Sequence, residues 1–389
     1  PHGLRVLAQR RPQRPMNTFA VVTGGGTSGH VLPALAVAES LVAAGHARAT
    51  IHYVGTQRGV ETTLVPPSGF PYTFLDIVGL QRGLGRRAMG RNATLPFKLI
   101  RSLREATQLL RDLRPAVVVN LGGYGSFPAT WAARRAGIPY VVVSYDRRPG
   151  LVSRLLAKRA AVCAVAFEGS TLPHAEVTGA PVRSELLTLD RSAERDNARD
   201  ELGLPRGRFI VAVVCGSLGA AAVNEVVAAA VEQLAGRSDL AVFHAVGDRF
   251  LTSAAPARDG ASGILYRVIG YEQRMAQLYA AADLMVTRAG AGTIAELAAV
   301  GAPAIVVPWP GAAENHQLDN AKVLSDRGAA VLIEQPDFTV DRLVAEIDRC
   351  ASQPHELAMV ARAAHDAGAV HRSGRLVGAI ERAANGAGS

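Results

Sequence analysis

Apolar residues along this chain come in short runs, most of them closed by glycine or another small residue and followed by a segment with helical spacing. Residues 19–23, 51–55, 73–77, 116–121, 140–143 and 161–167 read as strands in the first half. Residues 209–214, 241–246, 266–269, 284–287, 304–307 and 329–333 do so in the second. Helical spacing is clearest over 31–43, 127–137, 221–234, 340–351 and roughly 356–384. Strands alternating with helices in both halves predict two parallel sheets, each covered by helices on both faces. A cleft between two such domains is where a small ligand is expected.

The punctuation between strands and helices carries the candidate chemistry. Residues 24–30 form one glycine turn, and Pro33 suits the first turn of the helix behind it. This turn matches neither the GxGxxG dinucleotide fingerprint nor the phosphate loop GxxxxGK[ST], since no lysine follows. A second turn spans 122–126 and a third 215–220, where Ser217 offers either phosphate binding or plain turn chemistry. The stretch 281–297 organises the rest: a strand enters Gly290, Ala291, Gly292 and Thr293, and a helix begins at once. Such a helix start exposes unpaired N–H groups and the positive end of the helix dipole, both of which attract phosphate. Glu296 lies three after Thr293, so it either closes a capping box or accepts from a pair of sugar hydroxyls.

Composition narrows the class. The 389 residues are 49% hydrophobic and 19% charged, which suits about two globular domains, and no run of eighteen apolar residues is present. Cys163, Cys215 and Cys350 are far apart and lack nearby His pairs, so neither a disulfide framework nor a zinc site is expected. The net charge of +9 is concentrated in residues 80–114, where nine cations face only Glu105 and Asp112. Arg82, Arg86, Arg87, Arg91, Lys98 and Arg101 alternate there with apolar side chains including Phe97. The segment reads either as a surface for anionic lipid head groups or as a solvated helix whose leucines face a core. Nucleic acid is not an expected partner, because no recognised module accompanies the basic run.

The Gly/Pro break at 178–183 and the charge-rich stretch 190–208 mark a linker between domains. The expected division is a disordered extension at 1–15 with Met16 nearer the natural start, a first domain at 16–178, a second at 179–360, and a C-terminal helix at 361–389 returning towards the first.

At this point the sequence resembles the MurG glycosyltransferases. Residues 25–36 are similar to the family's GGTGGHxxPALA opening, Pro181-Val182-Arg183 to its NPVR linker, and 216–220 with Asn224 to GSxGAxxxN. Residues 288–296 and 316–321 resemble its donor-binding signature. The resemblance implies a GT-B fold of two Rossmann-like α/β domains facing across a cleft. It implies an inverting transfer of N-acetylglucosamine from UDP-GlcNAc to lipid I, giving lipid II for peptidoglycan, at the cytoplasmic face of the membrane as a peripheral protein. It also implies roles: Glu296 on the ribose, Gln317 on the sugar, Ser217 and Ala291, Gly292 and Thr293 on the diphosphate with Arg183 nearby. Glu272 main chain would read the uracil edge, and Thr27, Ser28, Gly29 and His30 the sugar and acceptor side.

The chain departs from that pattern at Ser28, at Gly311 and at Val143-Ser144-Tyr145-Asp146, which replaces His-Glu-x-Asn. Asp146 is expected to keep one polar contact. Transfer needs a base for the acceptor proton and stabilisation of the leaving diphosphate. His30 is the expected base, with Asp146 in reserve. Helix N-termini and Arg183 would stabilise the diphosphate without a metal or other cofactor, since no DxD pair ends a strand. Alternative readings are a related enzyme using another acceptor, a UDP-sugar epimerase, or an inactive UDP-sugar-binding paralogue.

Overall fold

The computed structural model describes residues 18–26, 28–57, 60–77, 95–216, 219–312 and 315–386, with Ser28, Leu95 and Pro96 described by their backbone alone. The expectations for residues 1–15, Thr27, Ser217, Arg82, Arg86, Arg87 and Arg91, and for the Ser28 side chain, fall outside them. The first sheet comprises β1 (Ala20–Thr23), β2 (Ile51–Thr56), β3 (Tyr72–Leu75), β4 (Val117–Asn120), β5 (Tyr140–Ser144), β6 (Val162–Val165) and β7 (Ala175–Val177). Its order is β3-β2-β1-β4-β5-β6-β7, with every neighbouring pair parallel.

The second sheet comprises β8 (Phe209–Val214), β9 (Leu240–Ala245), β10 (Arg258–Asp259), β11 (Leu265–Ile269), β12 (Leu284–Thr287), β13 (Ala304–Val306) and β14 (Val331–Leu332). Its order is β10-β11-β9-β8-β12-β13-β14, and only the short β10 edge runs antiparallel. Apart from β10, the two sheets repeat one scheme: two strands lie on one side of the first strand, and the rest, four in the first sheet and three in the second, lie on the other. The central strands are buried on both faces and therefore read as unbroken apolar runs such as Val117-Val118-Val119.

In each sheet the winding direction reverses between two neighbouring strands, β1 and β4 in the first and β8 and β12 in the second. Ligands of doubly wound sheets bind outside the carboxyl ends of strands at such a reversal. All four glycine turns singled out in the sequence follow one of these four strands. The two parallel, Rossmann-like sheets that the GT-B expectation requires are therefore present.

Two segments differ from expectation in kind. The charge-rich stretch 190–208, read as linker, contains the helix Arg191–Leu202. Asp190 caps it by accepting from the N–H groups of Ser192 and Ala193, while Ala198, Arg199 and Leu202 turn inward. Arg199 is fully buried and is satisfied by the Ala281 carbonyl and the Asp283 carboxylate at 2.8 Å. Its high charge disguised a helix whose inward cation is paired. The single helix expected over 356–384 is instead three, Pro354–Ala367, Ala369–Arg372 and Arg375–Asn385. Gly368 lies so close to Ala298 that a Cβ there would sit 2.1 Å from its carbonyl oxygen. The last helix packs on β4, β5 and β6 of the first sheet, and is held by a hydrogen bond between Glu381 and His46 and an ion pair between Arg382 and Glu176.

Candidate functional site

The first glycine turn is held from below. Tyr53 donates its hydroxyl to the Gly24 carbonyl, and Glu61 Oε1 accepts from the Gly26 N–H at 2.7 Å and from Thr56 at 2.9 Å. Glu61 is buried, and its Oε2 has no hydrogen-bond partner among the described residues. The first and second turns pack backbone to backbone: a Cβ on Gly123, at φ +76°, would lie 2.1 Å from the Gly25 carbonyl. Only glycine fits there.

The helix after the first turn is Ser28–Ala43, one turn earlier than its periodicity indicated, so Pro33 lies inside it. Proline has no N–H to give to the carbonyl four residues back, which leaves Gly29 without its helical donor. Tyr145, at the end of β5, donates its hydroxyl to that Gly29 carbonyl. The same hydroxyl lies 2.9 Å from His30 Nδ1. Burial pushes the His30 pKa below the ordinary value, against the raising influence of Asp146, a hydrogen bond to the Leu121 backbone and Glu61. The ring is thus neutral near pH 7, as a general base must be.

On the second sheet, the helix Ala291–Val300 starts from Gly290 with no side-chain cap. Thr293 and Glu296 form no capping box. Glu296 instead accepts from Arg183 Nε and Nη2 at 3.3 and 3.2 Å through one oxygen, and from the Tyr279 hydroxyl at 3.1 Å through the other. Arg183, expected as a cation near the diphosphate, is committed here to Glu296 and to Glu185 at 3.1 Å. Among the described residues, nothing outside the helix's own backbone lies within 4 Å of a Cβ built on Gly292, so the helix start is open at that position. Gln317 opens the helix His316–Ser325 and accepts from the Trp309 N–H at 2.9 Å. Gly311 lies against the Trp309 ring, where a Cβ would come within 2.6 Å. Glu272 turns its carboxylate onto Arg274, with contacts at 2.7, 3.1 and 3.0 Å, leaving its main chain on the loop after β11. Asn224, part of the family-like motif, holds the Val246 carbonyl and His244, and so supports the strand end.

One buried residue joins the two halves. Asn320 donates from Nδ2 to Asp146 at 3.2 Å and to the Ala289 carbonyl at 3.3 Å, and its Oδ1 accepts from the Arg147 N–H at 3.1 Å. Beside it, Arg148 pairs with Asp319 at 2.6 Å. His30, Tyr145, Asp146, Asn320 and Ala289 therefore form a continuous path from the first glycine turn to the residue preceding Gly290. Sequence reasoning assigned no role to Glu61, Tyr145 or Asn320. Asn320 left a signal in its place inside the 316–321 match and Tyr145 in the altered segment 143–146, whereas Glu61 left none.

The basic segment is described from the helix Leu95–Leu113 onward. Lys98 departs from the expectation of a free membrane-facing cation: its ammonium is half-buried against Asp76 at 2.9 Å. Arg101 is exposed but paired with Glu105 one turn on, at 2.7 Å. Phe97 is 78% exposed and Ile100 49%, whereas Ala106 and Leu110 face the core. No helix among the described residues is long and apolar enough to cross a membrane.

Residues 20–165 match the glycosyltransferase family 28 N-terminal domain and residues 210–373 its C-terminal domain. A Burkholderia ambifaria protein named UDP-N-acetylglucosamine--N-acetylmuramyl-(pentapeptide) pyrophosphoryl-undecaprenol N-acetylglucosamine transferase is 41% identical over 83% of this chain and 85% of its own. A protein of the same name from Desulforudis audaxviator is 36% identical over 94% and 98%. The chain belongs to the MurG family of family 28 glycosyltransferases. The crystal structure of MurG from Acinetobacter baumannii superposes with a TM-score of 0.67 at 28% identity, covering 92% of this chain and 99% of that one. This MurG-family chain carries Tyr145 and Asp146 at the junction of its two domains, where the family pattern described above is altered.

Proposed function

We propose that this chain is an inverting N-acetylglucosaminyltransferase that moves the sugar from UDP-GlcNAc to lipid I, making lipid II for peptidoglycan. The observation that carries this reading is the continuous path from a neutral His30 to an uncapped helix start at Ala291, across the two sheet reversals.

The acceptor hydroxyl attacks the anomeric carbon of the donor while His30 takes its proton. The C1–O bond to the diphosphate breaks, and UDP leaves with the electron pair. The N–H groups of Ala291, Gly292 and Thr293 and the helix dipole stabilise that growing negative charge. Ser217 and Arg183 would add to them. Glu296 would hold the ribose hydroxyls with Tyr279 and Arg183 fixing its carboxylate, Gln317 the sugar hydroxyls, and the Glu272 main chain the uracil edge. Thr27, Ser28 and Gly29 would line the sugar and acceptor side.

In this reading residues 16–178 form the acceptor- and membrane-side domain and 179–360 the donor domain, with 361–389 returning to the first. The protein docks peripherally on the cytoplasmic face of an anionic membrane through the segment containing Arg82, Arg86, Arg87, Arg91, Phe97 and Arg101. Incubation with labelled UDP-GlcNAc and a lipid I analogue is the test. Transfer of label to lipid supports the reading; release of an altered free sugar would favour an epimerase, and UDP binding without turnover an inactive paralogue.

A further inference from the structure

We propose that Tyr145 is a positioning residue that sets the tautomer of His30, keeping the proton on Nδ1 and presenting Nε2 as the base. The inference rests on the reading of His30 as the proton acceptor in sugar transfer.

The argument is one of proton bookkeeping. A carbonyl oxygen cannot donate, so the contact between the Tyr145 hydroxyl and the Gly29 carbonyl uses the tyrosine's only proton. The hydroxyl is then left to accept from His30 Nδ1, 2.9 Å away, which places the ring's hydrogen on Nδ1, and the ring's hydrogen bond to the Leu121 backbone must come from that same N–H. In a neutral imidazole this leaves Nε2 unprotonated.

The Gly29 carbonyl is available because Pro33, four residues on, supplies no N–H. The proline thus creates the acceptor that orients the tyrosine, and the tyrosine orients the histidine. Tyr145 is buried at the end of β5, and the close approach of the His30 ring to Gly122 and Gly123 limits the ring's other orientations. A histidine free to hold its proton on Nε2 would spend part of its time unable to accept one.

Nitrogen-15 NMR of the full chain labelled in histidine reads the tautomer directly. The wild type is expected to show His30 protonated at Nδ1 and bare at Nε2. In Tyr145→Phe, signal should move towards the Nε2-protonated form, and kcat should fall at least about tenfold with the KM for UDP-GlcNAc within about twofold. Calorimetric UDP binding checks that the variant is folded, and the wild-type spectrum requires no variant at all. An Nε2-protonated His30 in the wild type overturns the proposal, as does a Tyr145→Phe protein with unchanged ring signals and unchanged kcat. Failure of the base reading itself looks different: His30→Ala would then turn over normally, while the ring signals would still report whether Tyr145 sets the tautomer.

Discussion

Asn320 donates to the Asp146 carboxylate at 3.2 Å across the junction of the two domains, and the same amide reaches the Ala289 carbonyl beside the glycine turn. A fully buried amide with three partners from two loops acts as a hinge pin, because losing it removes the bonds that tie Asp146 and Arg147 to the buried Ala289 carbonyl. Asn320→Ala is therefore expected to cost about 1–3 kcal/mol of stability in chemical denaturation. It should also raise the donor KM, since the Gly290 turn loses its tie to the first domain. Unchanged stability and KM would mean that the junction is held by Arg148–Asp319 and the apolar contacts instead.

His30→Ala should lower kcat by about two or more orders of magnitude with UDP affinity kept, as measured by steady-state rates and calorimetry. The sign of its pH dependence follows from its surroundings. Burial lowers the His30 pKa, so the acid limb of kcat/KM should lie below the ordinary histidine range. The Asp146 charge pulls in the opposite direction, favouring the protonated ring. Asp146→Asn should therefore move the acid limb to lower pH. A limb that moves up, or stays fixed, removes the Asp146–His30 interaction from the account.

Glu296→Ala should raise the donor KM roughly tenfold or more, the amount carried by hydrogen bonds to a charged group. The substitution also strands Arg183 and the Tyr279 hydroxyl, so Glu296→Gln is the informative companion. It keeps an acceptor for a ribose hydroxyl but loses the ion pair with Arg183. A donor KM near the wild-type value in both variants would mean that Glu296 serves only to anchor the linker.

Much of the fold was legible because both sheets are parallel and buried, so each central strand stands out as an apolar run between glycines. The site was legible only where backbone carries the chemistry, as at Gly290 to Thr293. Tyr145 and Asn320 could not be read, because their partners lie 115 and 174 residues away and no local period records a hydrogen bond between loops. Glu296 shows the same limit in reverse. Its spacing from Thr293 is that of a capping box, yet long-range partners Arg183 and Tyr279 hold the carboxylate elsewhere.

His371 links the C-terminal helices to the linker by accepting from the Ala180 N–H at 3.0 Å. Burial, with a smaller push from Arg372, lowers its pKa from the ordinary 6.5 to about 4. The unfolded chain therefore takes up this proton first as the pH falls. The contribution of His371 to stability is whole above about pH 6.5 and is lost progressively as the pH approaches about 4. Melting temperatures measured across that window should fall less steeply for His371→Gln, whose amide oxygen can still accept from Ala180. Equal slopes would show that His52 and His244, lowered to about 4 by burial, or the carboxylates carry the acid sensitivity.

Phe97 and Ile100 lie one turn apart on the helix Leu95–Leu113 and stay exposed while Leu110 and Ala106 enter the core. An exposed apolar pair beside Arg101 and Arg104 suits the boundary between lipid head groups and acyl chains. Two terms would then add: about 1.5–3 kcal/mol for each large apolar side chain buried in lipid and about 1 kcal/mol for each cation near an anionic surface. Salt screens the second term and leaves the first. Phe97→Ser with Ile100→Ser should therefore weaken sedimentation with phosphatidylglycerol vesicles even in high salt, whereas Arg101→Gln with Arg104→Gln should weaken it only in low salt. Turnover on a water-soluble acceptor analogue should be unaffected by either pair, because none of the four lies on the path from His30 to Ala291. Vesicle binding that survives both pairs would move the docking surface off this helix.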